Sequence, residues 1–202
     1  MRIFWTLVGV LALIPCLAWS AGDPGAGKAI AVACGACHGA NGAATLPMYP
    51  NLAGQNERYM LRQLQMIKDG SRAAPLMAGQ LNNFGDGDLE NLAAYYAEMT
   101  PVVGQAADDG LEMGEQIYRG GMLDKGVAAC TACHSPFGGG NSPAGYPQIG
   151  GQPVDYTVAQ LTAYREGVRS TDEEFGGTMR DVAGRLTDGE IKALANYIQG
   201  LH

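Results

Sequence analysis

Cys34-Gly35-Ala36-Cys37-His38 and Cys130-Thr131-Ala132-Cys133-His134 are two copies of one pattern in a chain of 202 residues. Both read C-x-x-C-H, the spacing of a c-type haem attachment site. Two thiols three positions apart on a helical turn can each add to one haem vinyl group. The histidine that follows then lies beneath the macrocycle, where an imidazole nitrogen reaches the iron. Paired cysteines also serve structural zinc, dithiol exchange and the disulfides of exported proteins. None of these requires a histidine directly after the second cysteine in both copies. The motifs therefore predict two covalently bound haem c groups. Cys34 and Cys37 attach one and Cys130 and Cys133 the other, with His38 and His134 as iron ligands.

Outward from the motifs the repeat continues, and it decides the architecture. Tyr49-Pro50-Asn51-Leu52-Ala53-Gly54-Gln55 matches Tyr146-Pro147-Gln148-Ile149-Gly150-Gly151-Gln152. Tyr59 matches Tyr156, Gln63 matches Gln160, and Arg72 matches Arg169. Asp86-Gly87-Asp88-Leu89 matches Asp188-Gly189-Glu190-Ile191. Two homologous halves follow, 21–103 and 104–202, each near the lower end of domain size. Residues 100–109, rich in Pro, Gly and small side chains, read as the linker between them.

Each half has the same expected plan. A short helix (27–33 or 113–119) leads into the motif, and a Gly/Pro-rich loop follows the histidine. A second helix has apolar residues at helical spacing (57–69 or 155–166). A methionine-bearing loop precedes a closing helix (88–99 or 189–199). Thr187 and Glu190 fit a capping box at the last of these. The fold class is all-α, in two tandem domains that resemble cytochrome c domains, each wrapped around one haem. Domains this small bury little apolar surface alone, and a covalently held haem supplies the missing core.

The chain opens with Met1-Arg2, an apolar run from Ile3 to Ile14, and small residues before Ala21. Residues 1–20 read as a signal peptide, since the run is short for a membrane span. Loss of Arg2 with the signal leaves 12 basic and 20 acidic residues, a charge of −8. An acidic exported protein is a poor partner for nucleic acid or anionic lipid. The halves differ: residues 21–105 carry −2 and 106–202 carry −6.

The second iron ligand sets the function. The one further histidine is His202, so two bis-His haems are excluded. Methionine is the usual alternative and raises the reduction potential. Aligned on the closing helices, Met77 corresponds to Met179, each in a loop that can fold over its haem. Met66 is the alternative in the first half, although Met60 and Met66 lie on a helical stripe and suit the core. Pro50 and Pro147 occupy matching places from which a carbonyl can meet the ring N–H of His38 or His134. Arg72 and Arg169 either pair with haem propionates or are solvated surface charges.

Together these motifs resemble the dihaem cytochrome c4 family, over essentially all of the mature chain. The resemblance implies a periplasmic electron carrier, soluble or loosely associated with the membrane. It implies the cytochrome bc1 complex as donor and a cbb3-type terminal oxidase as acceptor in a respiratory chain. It also aligns Met77 and Met179 with the family's sixth ligands, while the loop 71–77 is shorter than the family pattern. An iron with six ligands has no open position for substrate, so one-electron transfer rather than enzymatic turnover is the expected function. The alternatives are a dihaem subunit of a dehydrogenase, which would use the same fold, and a dihaem peroxidase, which needs a displaceable ligand.

Overall fold

The computed structural model describes residues 22–202; the signal peptide expected at 1–20 lies outside the described residues. The first half contains α1 (Pro24–Ile30), α2 (Gly35–His38), α3 (Glu57–Asp69) and α4 (Asp86–Ala97). The second contains α5 (Leu111–Gly120), α6 (Thr131–His134), α7 (Val154–Arg165), α8 (Thr178–Ala183) and α9 (Asp188–Gln199). A 3-10 turn, Ala31–Cys34, carries α1 into the first motif. Among the described residues, extended pairing is confined to two isolated bridges, Met122 with Val127 and Asn141 with Tyr146.

Local chemistry sets the helix ends. The Asp23 carboxylate accepts from the N–H groups of Gly25 and Ala26 at 2.8 and 3.2 Å, and Pro24 fills the first helical position, where no N–H is needed. Gly70 closes α3 at φ 84°, a conformation an L side chain resists. At α9, Glu190 N–H donates to Thr187 Oγ1 at 3.3 Å and Thr187 N–H donates to Glu190 Oε2 at 2.8 Å. This is the expected capping box. At α4 only half of it exists: Gly85 N–H donates to Asp88 Oδ2 at 2.8 Å, and glycine has no side chain to return a bond.

The opening helix of each half crosses the closing helix. A Cβ on Gly27 would stand 2.0 Å from the Asn91 carbonyl oxygen, and one on Gly114 would stand 2.3 Å from that of Ala193. Only glycine allows so close a crossing of α1 over α4 and of α5 over α9. Tyr95 and Tyr197, on the closing helices, lie against these glycines. Each half then has its own apolar cluster. Leu61, Leu81, Leu89, Leu92 and Tyr96 form the first; Ile117, Tyr118, Leu161, Ile191, Leu194 and Ile198 form the second.

The halves meet through polar groups that the sequence reading assigned no role. Asn51, Gln55, Gln148 and Gln152 are all buried. Gln55 Nε2 donates to the Gln148 carbonyl at 2.8 Å, and Gln148 N–H donates to Gln55 Oε1 at 2.9 Å. Asn51 and Gln152 make the corresponding exchange. Asn51 is the repeat partner of Gln148, and Gln55 of Gln152, so the contact has the self-complementary form of a two-fold interface. The segment between the halves is pinned, not free. Gln199 Nε2 donates to the Gln105 carbonyl at 2.9 Å, and Ala107 N–H donates to Asn196 Oδ1 at 2.8 Å.

Candidate functional site

Each motif ends one helical turn, so its histidine leaves the turn at a fixed angle. His38 closes α2 and His134 closes α6, and both are buried. His38 Nδ1–H donates to the Pro50 carbonyl at 3.0 Å, and His134 Nδ1–H to the Pro147 carbonyl at 3.1 Å. A carbonyl only accepts, so the contact fixes the tautomer and leaves Nε2 with its lone pair free for a metal. Burial holds both imidazoles below their ordinary pKa, with the carbonyl contacts acting the other way. The neutral, ligating form is favoured. The chain turns sharply after each histidine: Gly39 has φ 72° and Ser135 φ 66°. Ser135 is thus a side-chain-bearing residue held where glycine is preferred, next to the site, where such strain is usually stored.

The motif thiols are free. Burial raises the Cys34 thiol and pushes Cys130 up to about 11. Disulfide formation proceeds through the thiolate, so burial of these two sulfurs disfavours a disulfide competing with haem attachment.

One cavity of about 620 Å³ is lined by His38 and Met77 from the first half and by His134 and Met179 from the second. Met77 ends the single turn Pro75–Met77, and Met179 lies in the first turn of α8. Met48 and Met60 also line the cavity, but Met60 is part of the first apolar cluster and Met48 is half exposed. Met66 is not among the lining residues.

Arg72 and Arg169 are not solvated surface charges: they are 9% and 5% exposed. Arg72 Nη1 donates to Gln63 Oε1 at 2.9 Å and Nη2 to Tyr156 OH at 3.0 Å. Arg169 Nη2 donates to Tyr59 OH at 2.9 Å and Nη1 to Gln160 Oε1 at 2.7 Å. Each guanidinium thus reaches into the opposite half. These partners are neutral, and Arg72 Nε and Gln63 Nε2 have no hydrogen-bond partner. Two buried cations without a counter-charge are costly. The cluster lines the same cavity and lacks what a haem carboxylate would supply. Paired thiols, a neutral imidazole, a thioether and unpartnered donors make a set that haem c fits.

The family model for cytochrome c matches residues 25–100 and 112–202. The chain is 48% identical over 195 residues to cytochrome c4 of Azotobacter vinelandii, covering 92% of each chain. Its fold matches the crystal structure of reduced recombinant cytochrome c4 from Pseudomonas stutzeri with a TM-score of 0.88 at 47% identity. That match covers 90% of this chain and 100% of the other. The chain belongs to the cytochrome c4 family. It is a dihaem electron carrier with two covalently bound haem c groups, one in each half. It is also 34% identical over 188 residues to a thiosulfate dehydrogenase electron acceptor of Thiomonas intermedia, covering 89% of this chain and 81% of that one.

In this cytochrome c4 chain the structure brings both histidines and both repeat-matched methionines to one cavity. Sequence reasoning missed Asn51, Gln55, Gln148 and Gln152, and it missed that the two arginines cross between halves. One signal was present. The polar positions of the two Tyr-Pro segments recur four residues apart in both halves, whereas a solvated loop has no need to repeat them.

Proposed function

We propose that this chain is a periplasmic one-electron carrier of a respiratory chain, taking electrons from a cytochrome bc1 complex and delivering them to a cbb3-type terminal oxidase. The observation that carries the reading is the single cavity lined by His38, Met77, His134 and Met179. In this reading Cys34 and Cys37, and Cys130 and Cys133, would hold the two haems through thioether bonds. His38 with Met77, and His134 with Met179, would ligate the two irons within units 21–103 and 104–202. The bound haem supplies reversible one-electron oxidation and reduction at iron. The protein's own part is to hold each imidazole neutral, to exclude water, and to keep the two sites on one rigid polar interface. A closed ligand set leaves no position for substrate turnover, which argues for a carrier and against a peroxidase.

The relative that accepts electrons from thiosulfate dehydrogenase favours a second reading, in which a periplasmic dehydrogenase is the donor. An optical redox titration of the holoprotein tests the ligand set. Met77→Ala and Met179→Ala should each remove about half of the weak far-red absorbance typical of Met–Fe(III) ligation. A full-amplitude band in either variant would assign that methionine elsewhere. Reduction rates with isolated bc1 complex against a thiosulfate-oxidising dehydrogenase then separate the two partner readings.

A further inference from the structure

The two methionine loops are restrained very differently. From Arg169 to Met179 the chain takes ten steps, and from Arg72 to Met77 only five. The longer loop is stapled. The buried Asp172 carboxylate accepts from Arg180 Nε at 2.8 Å and from Arg180 N–H at 2.9 Å, the two residues flanking the stretch that holds Met179. The Asp172 carbonyl accepts from Gly177 N–H at 3.0 Å. Thr171 Oγ1 is bonded to both Tyr164 and Arg169, and Phe175 is wedged between Arg62 and Tyr146. Met179 itself stands in a helix.

The shorter loop has none of this. Its bonds are backbone turns: Met77 N–H to the Ala74 carbonyl at 2.8 Å, Ala78 N–H to that of Pro75 at 3.2 Å, and Gln80 N–H to that of Met77 at 3.0 Å. Among the described residues, no side-chain hydrogen bond or ion pair is made by positions 73–84. Leu76, next to Met77, is 62% exposed, and the first buried anchor after it is Leu81. Low local restraint and exposure mark segments that open below the global unfolding threshold.

We propose that the first half is a binding site for small nitrogen-donor ligands of the imidazole class, entered when the 73–80 loop swings Met77 away, and that the second half takes them only at higher concentration. The proposal rests on the assignment of Met77 and Met179 as axial ligands. One Fe–S bond breaks and one Fe–N bond forms, with no electron transferred and no proton released. The Asp172–Arg180 staple must open before Met179 can leave, and no equivalent opposes Met77. One charge-assisted hydrogen bond is worth about tenfold in such an equilibrium.

Imidazole titration of the oxidised holoprotein at fixed pH, followed by the far-red band, reads this directly. Two phases of about equal amplitude are expected, the first half-complete at an imidazole concentration about tenfold or more below the second. Met77→Ala should retain only the high-concentration phase and Met179→Ala only the low one, so either variant suffices to assign them. Asp172→Asn should move the high phase down towards the low one. A single phase in the wild type, the low phase persisting in Met77→Ala, or an unmoved high phase in a folded Asp172→Asn would overturn the proposal. Failure of the ligand assignment looks different: a methionine variant would keep the full band before any imidazole is added.

Discussion

Asn51 N–H donates to Gln152 Oε1 at 3.0 Å, and Gln152 Nε2 donates back to the Asn51 carbonyl at 2.8 Å. One side chain thereby satisfies both backbone groups of a buried residue in the other half, as a strand neighbour would. The exchange repeats between Gln55 and Gln148, so paired amides join the halves. Amide pairs of this kind contribute little net energy when made but are expensive when broken. They fix register more than they add stability.

Gln152→Ala therefore leaves the N–H and carbonyl of Asn51 unpaired in the interface, at a cost of about 1–3 kcal/mol. The expected result is a lower melting temperature together with loss of coupling between halves, seen calorimetrically as a transition that broadens or splits. An exposed amide on the same chain, such as Gln116→Ala, should change stability by less than about 0.5 kcal/mol. Equal effects of the two substitutions would remove the role given to the interface.

Two glycines give a sharper contrast. Gly151, at the interface, and Gly167, exposed after α7, have nearly the same φ, 74° and 72°. A Cβ on Gly151 would stand 1.9 Å from the Val102 carbonyl oxygen, while one on Gly167 would meet nothing within 4 Å. Gly167→Ala should cost the left-handed strain alone, about 1–2 kcal/mol. Gly151→Ala must in addition displace the connecting segment, adding about 1–3 kcal/mol. Denaturant melts of the two variants check the difference; matching losses would mean that the segment is not held against the second half.

The parts legible in sequence were those that local spacing controls. The C-x-x-C-H motifs, the 57–69 helix and the Thr187–Glu190 cap all depend on residues within a few positions of one another, and the structure places them as read. The Pro50 and Pro147 carbonyls were also found, because each lies one loop away from its histidine. What stayed hidden depends on how the halves dock. Nothing near Arg72 in sequence indicates that its guanidinium ends against Tyr156, 84 positions away. The linker composition at 100–109 suits a flexible tether equally well. Its attachment comes from Asn196 and Gln199 on α9, which reach it only after the fold has formed.

The buried arginines predict an electrochemical effect. A cation near a haem favours the reduced state, whose iron carries less positive charge. Arg169 is buried and paired with neutral groups, so its field is poorly screened. Because the cluster lies between the halves, Arg169→Gln should lower both reduction potentials by tens of millivolts, where about 59 mV is a tenfold change for one electron. Spectroelectrochemical titration measures this. Unchanged potentials in a folded variant would show that the guanidinium acts only as a strut.

The cap on α9 predicts a dependence on acidity. Burial disfavours the Glu190 carboxylate, but bonds from Lys125 and from Thr187 outweigh it and hold its pKa below the usual value of 4.5. Lys125 Nζ approaches Glu190 Oε1 at 2.6 Å. A carboxylate whose folded pKa is depressed contributes stability that is fully present above its unfolded pKa and is lost as pH falls through the folded one. Glu190→Gln keeps the capping acceptor but loses the charge paired with Lys125, and should therefore lower stability by up to about 1 kcal/mol at neutral pH, the scale of an exposed ion pair. The gap between wild type and variant should close on acidification, beginning near pH 4.5 and continuing below it. Asp88→Asn, which removes only the charge from the half-formed box on α4, should cost less. Thermal melts of the three proteins over that range decide the matter, and a gap that stays constant into strong acid would show that the Glu190 charge contributes nothing to the fold.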